Sequence, residues 1–130
     1  MVTLSALADR FATQERPTGN LLDAPSVLAQ AVAAASFYAG YAEIRSRVQA
    51  DPIVTIPVIS GATEINESEW ALIRSLFMLY VERETALQLE ASRGLGMDVY
   101  GRSSSEVAGD IMQAEMELPH RAFCRGIVTV

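Results

Sequence analysis

The chain has no lysine, one cysteine and one histidine in its 130 residues. Each scarcity excludes something. With Cys124 alone, no disulfide can close within the chain, which fits a reducing compartment or a protein indifferent to redox. With His120 as the sole histidine, a Cys/His zinc site built from one copy lacks its set of about four ligands. Without lysine the phosphate-cradling Walker pattern cannot be completed. Gly94, Gly96 and Gly101 also follow a helical stretch, where a phosphate loop follows a strand. All ten basic residues are arginine against sixteen acids, giving a formal charge of −6. An acidic chain without a basic cluster is a poor grip for nucleic-acid phosphates. Arginine without lysine favours fixed, forked contacts over a general cationic coat, although nucleotide bias in a gene gives the same composition.

Half of the residues are hydrophobic, so a packed core is expected and global disorder is not. Met1–Ala12 has neither the basic start nor the continuous apolar centre of a secretory leader, so none is expected. Ala24–Ala42 carries no charge. It is rich in alanine, which hardly prefers lipid to water, so a packed helix is the better reading than a membrane span.

The periodicity describes a mainly α protein. Leu4, Leu7, Ala8 and Phe11 mark a short amphipathic helix over about residues 3–14, broken by the Arg16–Asn20 stretch. A second helix is expected to start at the Asp23 cap, with Pro25 in its first turn, and to run to about Gln49 before Asp51-Pro52. IVTIPVIS, residues 53–60, is the strong β signal, with Pro57 favouring an edge strand or arm. It has no evident mate in the chain unless Ile127–Val130 supplies one.

Asn66, with Glu69 three residues on, predicts a capping box opening the main helix. WALIRSLFMLYV is apolar nearly all round, so Trp70, Ile73, Phe77 and Tyr80 are expected in the core. With Gly94 as its C-terminal stop, about 27 residues make a rod of about 40 Å. That exceeds the core of so small a domain, so its second half should project or meet another subunit. A last helix is expected from a cap at Ser103, Ser104 or Ser105, with a stripe of Val107, Ile111, Ala114 and Leu118, ending at Pro119. The fold expected is a small helical bundle over residues 1–130. It has N-terminal helices over 1–50, one extended β segment over 53–60, a helical core over 66–118 around one long central helix, and an extended C-terminal arm over 119–130.

No constellation offers catalysis, and no enzyme activity, cofactor or metal is expected. The serines read as caps, since no histidine sits in a partner-like context. Glu82 and Glu84 are two apart and face different sides of a helix; with Glu90, Glu115 and Glu117 they read as solvated surface.

The run EINESEW, then YVERETALQLEASRG, then YGRSSSEVAGDIM and LPHRAF, resembles the head–tail connector (adaptor or head-completion) proteins of tailed bacteriophages. The resemblance covers about Ile65 to Val130 and is one of helices, turns and an extended end, without a catalytic signature. It implies a virion subunit that rings the portal protein's underside, joins head to tail and helps retain packaged DNA. Its implied partners are the portal, neighbouring copies, and tail or further connector proteins. DNA would pass an acidic lumen without specific binding, and no membrane is involved. It implies a portal-docking arm containing His120, Arg121, Phe123, Arg125, Ile127, Val128 and Val130. It also implies contacts between subunits through Val54, Ile56, Val58, Leu87 and Leu89. A small dimeric helical regulatory or scaffold protein is the rival reading, and a membrane-active protein a distant third.

Overall fold

A computed structural model describes residues 2–15, 22–42, 44–47, 58–92 and 103–123. They form a mainly α bundle. β1 (Val2–Thr3) leads into α1 (Leu4–Arg10), which widens into a π-helical turn over Phe11–Glu15. α2 (Ala24–Ala39) follows, then a 3-10 turn (Arg45–Arg47), β2 (Glu64–Ile65), α3 (Glu67–Ser92) and α4 (Ser104–Phe123).

The chain start is fastened to the entry of α3. β1 and β2 pair antiparallel, with Val2 opposite Ile65 and Thr3 opposite Glu64. Leu4 and Ser5 extend the ladder by donating to the carbonyls of Thr63 and Gly61, at 3.0 and 2.9 Å. Thr3 also caps α1, its Oγ1 accepting from the Ala6 amide at 3.2 Å. Gly61 lies so close to Leu28 that a Cβ there would stand 3.3 Å from its side chain, so the turn closes onto α2.

α3 opens as its sequence dictates. Asn66 Oδ1 accepts from the Glu69 amide at 2.8 Å, and Glu69 Oε1 accepts from the Asn66 amide at 3.0 Å. Two amides with no partner in the helix are thereby satisfied. Asp23 takes the N-cap position of α2 without a side-chain cap bond.

α1 packs against α2, α2 against α3, and α4 lies along the second half of α3, where Tyr80 and Glu90 bond to it. Leu4, Leu7, Phe11, Leu22, Val27, Ala31, Ala34, Ile44, Ile65, Ile73, Leu76 and Phe77 are all but fully buried between them. Phe77 takes the edge of Phe11 at 5.2 Å and leans on Trp70 at 5.4 Å.

Four expectations change. α2 ends at Ala39 and does not reach Gln49. Gly40 favours a helix end, and the amides of Gly40 and Tyr41 turn back in tight i→i−3 bonds to Phe37 and Tyr38. The extended segment does not form a strand where it is described: Val58–Ser60 is irregular, and residues 51–57, including Val54, Ile56 and Pro57, lie outside the described residues. The second half of α3 does not project freely, because α4 packs along one side of it within the chain, while Leu87 stays exposed. Pro119 does not end α4. The helix runs on to Phe123 with Pro119 inside it, so residues 119–123 belong to the bundle and not to an extended arm. The Gly94 stop falls outside the described residues.

Candidate interaction surface

The α3–α4 hairpin is fixed by two polar bridges at different heights. Near the end where the chain passes from α3 to α4, the Glu90 carboxylate accepts from the Ser104 amide at 2.8 Å and from the Ser104 hydroxyl at 2.7 Å. A carboxylate thus sits on the positive start of α4. The Ser103 hydroxyl caps the same end, accepting from the Glu106 amide at 3.3 Å. Near the core, the Tyr80 hydroxyl donates to Glu115 Oε1 at 2.6 Å. Burial first, and then this hydrogen bond, hold the Tyr80 hydroxyl protonated well above the ordinary tyrosine range. The Arg83 guanidinium lies 4.9 Å over the Tyr80 ring and contacts Glu84 at 3.9 Å. The serines and two of the acidic residues are therefore structural, fastening one helix to the other. Treating Glu90 and Glu115 as solvated surface missed this, because their partners lie 14 and 35 residues away.

The core set Trp70, Ile73, Phe77 and Tyr80 is buried, at 7, 0, 1 and 5 % exposure. Among the described residues, nothing accepts from the buried Trp70 indole N–H. Of the residues expected between subunits, Val58 is exposed and outside any strand, Leu87 is exposed on α3, and Leu89 is half-buried. His120 and Arg121 are exposed in the last turns of α4, and Phe123 ends that helix. Arg121 Nη2 donates to Glu117 Oε2 at 3.1 Å, and Glu117 also accepts from Gln113. Its guanidinium is therefore engaged on its own helix. Arg125, Ile127, Val128 and Val130 lie outside the described residues.

Among the described residues no three histidine, cysteine or carboxylate side chains gather as a metal site would need, and no helix is long and apolar enough to cross a membrane.

What the sequence reading missed is the outer face of α4. Beyond the buried stripe of Val107, Ile111 and Leu118, Met112 and Met116 stand 65 and 69 % exposed, one turn apart. Ala108 and Gly109 extend this face toward the start of the helix. Nothing lies within 4 Å of where a Gly109 Cβ would stand, so the face is open there. Glu106, Asp110, Gln113, Glu117 and Arg121 take a separate polar side of the helix. The signal was present in the sequence: methionines at i and i+4, off the core stripe.

No protein-family model matches the chain, and neither a curated protein nor a solved structure is significantly similar to it.

Proposed function

We propose that the chain is a structural subunit of a tailed-phage head–tail connector, ringing the portal and joining head to tail. The sequence pattern of α3, the serine turn and α4 motivates this reading. The structural observation that carries it is the apolar outer face of α4, with Met112 and Met116 left in water on a helix already braced within its own chain. Exposed apolar surface of this kind suits contact with another protein and needs no reactive group. In this reading residues 124–130, which follow α4 directly, dock into the portal by apolar burial and strand pairing. The chain's negative charge lets DNA slide past.

The test is truncation. Removing residues 124–130 is expected to leave the far-ultraviolet circular dichroism of the bundle unchanged. It should also abolish attachment to DNA-filled heads prepared without this protein, as seen in electron micrographs. Wild-type occupancy by the truncated protein would refute the arm. A full-length protein that never joins heads, yet forms a tight dimer at micromolar concentration, would favour the regulatory or scaffold reading, since the same face of α4 would serve a two-fold contact.

A further inference from the structure

The sole histidine and two of the five methionines fall in step on α4. Met112, Met116 and His120 stand at i, i+4 and i+8, so they run as consecutive neighbours along one side of the helix. All three are exposed, the methionines at 65 and 69 %. None belongs to the buried stripe of Val107, Ile111 and Leu118. A single copy lacks the about four histidine, cysteine or carboxylate ligands that zinc requires. A thioether is a different ligand, soft and neutral, and it selects copper(I) and ions like it. Such an ion, monovalent with a filled d shell, is satisfied by fewer donors than zinc.

The geometry points to a binding site for a soft monovalent cation of the copper(I) and silver(I) class, held between the thioethers of Met112 and Met116 and the imidazole of His120. Neighbours at i and i+4 have Cβ atoms about 5–6 Å apart, so two donor atoms can close on one ion between them. Met112 and His120 are separated by two such steps, about 12 Å along the axis at about 1.5 Å per residue. Met116 is therefore the donor that either pairing shares, and the face takes one ion at a time. The rotatable bonds of methionine let the thioethers turn toward the ion while the backbone stays in place. The local field favours a cation. His120 lies in the last turn, at the negative end of the helix. Arg121, its neighbour in sequence, is engaged by Glu117 at 3.1 Å. The chain as a whole carries −6. Neutral ligands leave the charge of the ion in place, so loading turns an uncharged face into a cationic one. The site is independent of the connector reading.

Silver(I) is the probe, because it needs no reductant. Full-length protein carrying Cys124→Ser, which removes a competing thiol, would be titrated with silver nitrate in chloride-free buffer near neutral pH. Calorimetry should show one saturable ion per chain. In carbon–proton NMR spectra the methyl signals of Met112 and Met116 and the ring signals of His120 should shift together. The methyl signal of Met78, half-buried against the core, should stay in place. Met116→Leu should weaken binding by at least about tenfold, and Met112→Leu and His120→Gln each by less, since each leaves Met116 one partner. The far-ultraviolet circular dichroism of these variants should match the parent, because the altered side chains are exposed. Zinc(II) should not displace the silver. Absence of saturable binding would overturn the site, as would undiminished binding by Met116→Leu or shifts confined to Met1 and Met97. Displacement of silver by equimolar zinc(II) would also overturn it, since harder donors would then hold the ion.

Discussion

Phe77 is the side chain on which the first half of the bundle converges, 1 % exposed and touching the rings of both Phe11 and Trp70. Phe77→Ala removes the ring and leaves a cavity that three elements would have to close. The expected cost is about 3–5 kcal/mol, a large share of a typical domain stability of about 5–15 kcal/mol. Urea unfolding checks it, and a cost under about 1 kcal/mol would mean that the site collapses freely. Tyr80 gives a pH signature. The folded state keeps a proton that the unfolded chain releases near pH 10. Its contribution is complete below that pH and is lost progressively as pH rises toward the higher folded value. Alkaline destabilisation should therefore be steeper in the wild type than in Tyr80→Phe, and equal slopes from pH 8 to about 11.5 would contradict this. The Asn66–Glu69 box was legible because both partners lie within one turn. The Tyr80–Glu115 bond was not, because nothing local in the sequence announces a partner on another helix.

At the scale of elements, long periodic segments and their capped starts were readable, and the C-terminal ends of α2 and α4 were not. α3 and the stripe of α4 follow from spacing alone. β1 and β2 are two residues each, too short to show a period of two, and so went unseen. Pro119 shows why a breaker is a cost and not a veto. Its ring removes the amide that would donate to the Glu115 carbonyl, at up to about 3 kcal/mol in a helix interior. Leu118 before it is 3 % exposed, and burying such a side chain returns about 1.5–3 kcal/mol, enough to hold the last turn in place. Pro119→Ala should restore the missing bond and raise stability by about 1–3 kcal/mol, read as a higher urea midpoint with more helical signal. A neutral or negative change would indicate that packing depends on the bend a proline imposes.

For the whole molecule, the proposed connector role sets a charge that keeps copies apart against the few apolar residues that would have to draw them together. The charge of −6 was plain in the sequence, but the location of the uncharged surface was not, since it depends on which sides of α2 and α4 the rest of the bundle leaves open. The balance fixes the sign of a salt effect. If copies of the proposed connector meet through uncharged surface such as Met112 and Met116, no ion pair forms at the contact. Salt then has only the general repulsion to act on. Raising ionic strength from about 0.01 M to about 0.1 M shortens the screening length from about 30 Å to about 10 Å, so acidic surfaces flanking the contact cease to oppose it. Association should strengthen over that range and continue to strengthen in sulfate, which favours apolar burial. Sedimentation velocity at fixed protein concentration reads the shift directly. Association that weakens with salt would mean that arginine–carboxylate pairs hold the copies together, and the uncharged faces would lose their role.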